Sequence, residues 1–202
     1  MNNNLKYRMY FFVPYNLSEI QKAIQAGHAA LEYAYNQNNY KSHEFIDFME
    51  NDRTWIILNG GTTNSKTLKL DENFHNIPIG TLDQILRDLT LNKIRRAYFQ
   101  EPDLNDAVTA VCFLADERVW DYENYPEFYD WCVVQRMYPY VGERVNKSIS
   151  VDSNHNIEFL RKSTPEYQKE SFPKEYKMWI DEVLGEEKNE FLRNLIRGKK
   201  LA

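Results

Sequence analysis

The chain has 202 residues, 43% of them hydrophobic and 14% aromatic, and a formal net charge of −5. That composition excludes a disordered chain, and the length suffices for one core domain with a sizeable appendage. The negative charge excludes a broadly basic nucleic-acid surface, so any contact with RNA must rest on local patches.

Leu5 to Val13, rich in Tyr, Phe and Val, predicts a strand that ends at Pro14, which has no N–H for a ladder. Ser18 to Gln37 then reads as an amphipathic helix. Ser18 and Gln21 have capping-box spacing. Ile20, Ile24, Gly27, Leu31 and Ala34 share one arc and predict the core-facing stripe. Gln21, Gln25, His28 and Glu32 form a second, polar stripe about a quarter-turn away. Asn36 to Lys41 reads as a polar break before a short helix over Ser42 to Met49, with Phe45, Ile46, Phe48 and Met49 as its apolar side.

Trp55 to Leu58 is a continuous apolar run, which predicts a strand covered on both faces and stopped by Gly60-Gly61. The glycine pair lacks the remainder of a phosphate loop. After a polar loop over Thr62 to Pro78, Thr81 to Leu91 predicts a helix with Leu82, Ile85, Leu86 and Leu89 inward and a Thr81/Gln84 capping box. Ile94 to Gln100 and Ala107 to Leu114 predict two more strands, joined through Glu101-Pro102-Asp103 and therefore antiparallel. The order predicts an α/β domain over residues 5–117, a mixed four-stranded sheet with flanking helices.

Residues 118–202 predict a mainly helical, aromatic-rich extension packed on or beside that domain. A helix is expected from about Tyr125, with Pro126 in its first turn. Val145 to Phe172 is polar and weakly patterned, and Lys174 to Lys199 is a long helical stretch that Gly185 interrupts. The two cysteines, Cys112 and Cys132, lie in apolar stretches without metal or redox spacing and read as buried thiols of a reducing compartment. No apolar run approaches the roughly 18 residues of a membrane span, and no signal pattern opens the chain; the expectation is a cytoplasmic protein.

On the residues alone, His28 with Glu32 is an i, i+4 helix pair, Glu101 is a turn carboxylate before proline, and Thr109 is a β-branched strand former. A more specific reading comes from Phe11-Phe12-Val13, Asn16-Leu17 and Gln25-Ala26-Gly27-His28-Ala29-Ala30. These residues resemble the opening of the archaeal and eukaryotic type of peptidyl-tRNA hydrolase, with its strand, Asp-Leu-Lys turn and helix carrying Gln-x-x-His-Ala. The resemblance covers roughly residues 6–117 and extends to Gln100-Glu101, where the family carries its catalytic aspartate, and to Thr109 in the last strand.

The resemblance implies hydrolysis of the ester of peptidyl- or N-blocked aminoacyl-tRNA, without metal or organic cofactor. In that reaction Glu101 takes a proton from water, Thr109 holds the water, His28 and Gln25 grip ribose or peptide, and Lys22 polarises the carbonyl. Gln21, Lys93, Arg95 and Arg96 complete the expected substrate contacts, with tRNA as partner. Further basic groups are Arg161, Lys162, Arg193, Arg197, Lys199 and Lys200, the last four expected on a helix C-terminus.

The sequence also departs from the family. Its helix-start turn keeps one lysine, Lys22, and Pro102 to Asp106 replaces an Ala-Gly-x-Thr segment. Glu101, Asp103 and Asp106 together repel a phosphate backbone. These departures leave a second reading open: a catalytically degenerate relative that serves as a binding or assembly module. Trp120, Tyr122, Tyr125, Tyr129 and Trp131 would then form a protein-partner or self-association surface.

Overall fold

A computed structural model describes residues 5–40, 42–63, 80–135 and 162–202. Residues 1–4, Lys41, most of the expected Thr62–Pro78 loop, and the stretch that includes Tyr138, Val145 and Arg161 lie outside the described residues. The chain divides into two units, one of residues 1–117 with 194–202 and one of residues 118–193.

The first unit is built on β1 (Tyr7–Pro14), an interior strand. It pairs in parallel with β2 (Trp55–Gly61) and antiparallel with β4 (Ala107–Asp116). β3 (Arg96–Glu101) pairs antiparallel with β4, so the order is β2-β1-β4-β3. This is the expected mixed sheet, including the antiparallel last pair. Met9, Phe11 and Val13 of β1 face one side, where Ala97, Ala110 and Cys112 join them. Tyr10 and Phe12 face the other side with Phe113. Helices cover both sides, which is why β1 reads as an unbroken apolar run.

α1 (Glu19–Tyr40) lies on the first side and α3 (Thr81–Leu91) on the second, with α2 (His43–Asp47) and a π-helical turn (Phe48–Asp52) between α1 and β2. α1 runs straight through the expected break at Asn36, since the break contains no glycine or proline to stop it. Its buried stripe also corrects the sequence reading. Ile20 and Leu31 are 73% and 70% exposed, and Ile24 is exposed as well, whereas Gln25, Ala26, Ala29 and Tyr33 are buried. The sheet face beneath already carries Met9, Phe11 and Val13, so small alanines let the helix approach closely. In α2 and its extension Phe48 is buried, while Ile46 and Met49 are exposed.

Three further expectations change. β2 is an edge strand, and Trp55 at its start is exposed rather than covered. Its outer edge is instead lined by the chain's own tail. Asn59 N–H donates to the Lys200 carbonyl at 3.0 Å, Ala202 N–H donates to the Ile57 carbonyl at 3.0 Å, and Leu201 sits opposite Leu58. Gly60 and Gly61 belong to the strand, and a methyl on Gly60 would lie 2.8 Å from Leu82 Cδ1. The α3 cap is Gly80 rather than Thr81. The Thr81 hydroxyl donates to the Gly60 carbonyl and accepts from Thr62 N–H, both at 2.8 Å, which ties the helix start to the end of β2.

The second unit holds α4 (Phe128–Val134), α5 (Pro165–Ser171) and α6 (Pro173–Trp179), the last continued by a π-helical turn (Ile180–Leu184). Gly185 at φ 81° breaks the long stretch as expected, before α7 (Glu187–Ile196). Pro126 precedes α4 instead of entering its first turn, and Glu127 occupies the cap position. Phe128, Trp131, Phe172, Tyr176 and Trp179 form the core, with Tyr125 and Tyr129 partly buried against it. Arg193, expected with the basic residues of a helix C-terminus, is 1% exposed. It donates to the Tyr125 carbonyl, lies 3.5 Å from Glu127 and sits 4.5 Å from the Tyr122 ring centre. No helix among the described residues is long and apolar enough to cross a membrane.

Candidate functional site

The candidate site lies where the end of β3 and the start of β4 meet the first turns of α1. The helix start is fixed by the expected capping box: Gln21 N–H donates to Ser18 Oγ at 3.3 Å, and Ser18 N–H donates to Gln21 Oε1 at 3.0 Å. Gln21 is therefore occupied in capping. One turn after Ser18, the sheet-facing stripe begins with Lys22, whose side chain is only 12% exposed and whose ammonium lies 3.3 Å from Glu19. Gln25 follows on the same stripe, 8% exposed.

Gln25 joins two strands. Its Nε2 donates to Glu101 Oε2 at 2.7 Å, and its Oε1 accepts from the Thr109 hydroxyl at 2.5 Å. The donor and acceptor ends of one amide are thus both used, which fixes the amide's orientation. A carboxylate can only accept, so the NH2 must face Glu101 and the oxygen must face Thr109. Among the described residues, Glu101 Oε1 accepts no such bond, and Glu101 is half-buried.

A β-bulge makes this chain of bonds possible. β3 and β4 pair as Ala97–Cys112 and Phe99–Ala110, then as Gln100–Val108 and Glu101–Ala107, so Thr109 is skipped. Strict alternation would place Thr109 with Val111 and Phe113 on the α3 side. The extra residue lets it turn to the α1 side, where it meets Gln25. The strand link is equally constrained. A 3-10 turn over Pro102–Leu104 is followed by Asn105 at φ 53° and Asp106 at φ 55°. Asp106 N–H donates back to the Glu101 carbonyl at 3.1 Å.

Thr109 is 0% exposed, so it holds Gln25 rather than a water molecule. Gln25, with both amide ends engaged, positions Glu101 rather than gripping ribose or peptide. His28, exposed and one turn beyond Gln25, stacks on Phe99 with ring centres 4.3 Å apart and planes 16° apart. Phe99 had no sequence signal beyond strand patterning. On the outward flank of α1, Ile24, Gly27, Leu31, Met49 and Trp55 line an apolar groove of about 480 Å³, with His28 at its rim.

The structure does not bring Lys93, Arg95 and Arg96 to this point. They precede or open β3, and Arg96 is five residues from Glu101, about 16 Å along a strand. Lys93 is exposed in a left-handed turn at φ 57°. Arg95 donates to Ser42 Oγ at 2.8 Å and pairs with Glu44 at 3.3 Å. Arg96 donates to the Ile94 carbonyl at 3.4 Å. Cys112, beneath the helix, donates to the Ala29 carbonyl at 3.3 Å, and burial pushes its thiol up to about 12. It is a core thiol, not a nucleophile.

No family model matches the sequence, and no curated protein matches it. The chemistry rests on the site. It offers a carboxylate with one oxygen held and one oxygen open, a largely buried lysine on the same helix stripe, and an imidazole stacked two residues from the carboxylate. Such a set suits proton abstraction from water and stabilisation of an oxyanion.

Proposed function

We propose that the chain is a peptidyl-tRNA hydrolase-like protein that cleaves the ester of peptidyl- or N-blocked aminoacyl-tRNA. The observation that carries this reading is the Thr109–Gln25–Glu101 chain of hydrogen bonds, which holds one carboxylate oxygen and leaves the other for water. Glu101 Oε1 takes a proton from water as the water oxygen attacks the ester carbonyl. The Lys22 ammonium stabilises the resulting oxyanion. Collapse breaks the bond to the ribose oxygen, which leaves with the proton held by Glu101. The products are a peptide acid and a tRNA with its hydroxyl restored. Thr109 and Gln25 are positioning residues in this scheme. The buried, unpaired thiols of Cys112 and Cys132 agree with a reducing, cytoplasmic setting.

The test is hydrolysis of N-acetyl-aminoacyl-tRNA by the wild type and by Glu101→Gln. A fall of about 100-fold or more is expected, within the range attributed to general-base catalysis. Turnover equal to wild type would remove Glu101 from the mechanism.

One observation favours a second reading, a related fold that binds without turnover. Asp103 and Asp106 stand beside Glu101, and the helix-start turn holds Lys22 alone to offset them. Retained tRNA binding without ester cleavage would select this reading. The aromatics of residues 120–131 contribute less to it than their number suggests, because Trp131 is buried in the core of its own unit.

A further inference from the structure

The two edges of the sheet are treated differently. Along β2, Lys200 to Ala202 line the outer edge. Along the outer edge of β3, the side away from β4, no strand pairs with Arg96–Phe99 among the described residues. Open edges invite pairing with other chains, and folds usually cover or blunt them. β3 contains no proline and leads directly into Glu101. Beside it runs a groove of about 440 Å³, lined by Glu32 and Asn36 from α1 and by Arg96, Tyr98 and Gln100 from β3.

We propose that the β3 edge and this groove bind an extended polypeptide as an added strand, the peptidyl part of the ester whose carbonyl lies at Glu101. The direction of the bound peptide rests on the hydrolase reading. The ester is at the peptide's C-terminal end, so placing it at Glu101 makes the peptide run parallel to β3.

Three features select this occupant. A hydrolase of peptidyl esters meets peptides of any sequence, and only the main chain is common to them. A strand edge reads the main chain. The lining mixes an anion, Glu32, with a cation, Arg96, and with neutral polar groups, which suits an uncharged backbone and not a phosphate chain. The groove is also continuous with the site, because Phe99 and Gln100 lie in both its wall and the approach to Glu101. Six strand residues span about 20 Å, so four to five peptide residues fill the edge.

The experiment uses tRNA esterified with N-acetylated peptides of increasing length that share one C-terminal residue. Matched sets carry N-methyl groups on one or the other alternate series of peptide nitrogens. KM is expected to fall about tenfold or more between one residue and four to five, then level off, with kcat nearly constant. One N-methylated series should return KM to the single-residue value. A KM independent of length, or a gain that survives both methylated series, would overturn the strand site while leaving the hydrolase reading intact.

If no ester is cleaved, the hydrolase reading has failed and the same peptides are presented as uncleavable amides. Slowed amide exchange at residues 96–99 would then uphold the edge site. Exchange unchanged by the peptide would overturn it.

Discussion

The Thr109 hydroxyl donates to the Gln25 amide oxygen at 2.5 Å, and neither group is open to water. The bond crosses from a bulged strand to a helix 84 residues earlier in the chain. It sets which way the amide faces and so which end meets Glu101. Thr109→Val keeps the shape and removes the donor. Gln25 Oε1 is then buried without a partner, which destabilises by about 1–3 kcal/mol. The released amide can also turn away from Glu101, so ester cleavage should fall with little change in KM. Urea denaturation and steady-state kinetics measure the two effects separately. Unchanged stability would mean that the bond contributes nothing.

Gly27 sits inside α1, where glycine is about 1 kcal/mol worse than alanine. An added methyl there would meet no atom within 4 Å. Gly27→Ala should therefore raise the thermal midpoint by several degrees. A lowered midpoint would show that the apolar groove beside it is filled in solution.

Gly61 behaves in the opposite way. Its φ of 85° favours glycine, and an added methyl would lie 2.0 Å from Thr81 Oγ1. Gly61→Ala should break the link between β2 and α3 and destabilise by about 2–4 kcal/mol, read as a lower urea midpoint. A midpoint equal to wild type would contradict this packing.

The Ser42 hydroxyl, 2.6 Å from Glu44, is the main cause holding that carboxyl below its ordinary value, with Arg95 adding to it. A depressed folded-state pKa gives stability that is present above the unfolded value and is lost as pH falls through the folded one. Ser42→Ala should accordingly be destabilised most near neutral pH, and the gap to wild type should narrow as pH falls below about 4. The remaining gap at low pH is the lost N-cap of α2, where Ser42 accepts from Phe45 N–H. A gap constant with pH would refute the Glu44 contribution.

Burial pushes both the Cys112 and the Cys132 thiol up to about 12. Neither should react with an aromatic disulfide reagent at neutral pH in the native protein, and both should react after unfolding. Rapid labelling of one thiol in the native state would locate a region that opens on its own.

The order of elements was legible because each carries a local signal: the Ser18/Gln21 box, the Leu82–Ile85–Leu89 stripe, and the glycine at 185. The buried face of α1 was not. Ile20, Ile24 and Leu31 form the more hydrophobic stripe, yet burial follows what the opposing surface can accept, and that surface is already bulky. The candidate site was legible as residue types and not as roles. Gln25, Glu101 and Thr109 were each identifiable, but the bulge that turns Thr109 toward the helix depends on pairing between strands and leaves no mark in a single sequence. Lys93, Arg95 and Arg96, near Glu101 in sequence, fall before or at the far end of β3 because an extended strand carries them away from it.

The pairing of Leu201 with Leu58 spans most of the chain. On the ribosome, β1, β2 and α1 are all made long before residues 200–202 exist, so the nascent sheet emerges with its β2 border exposed. Closure of that border is an event of high contact order, and it cannot occur until residues 200–202 clear the exit tunnel. During synthesis, this is the place where neighbouring nascent chains on one messenger can join strand to strand.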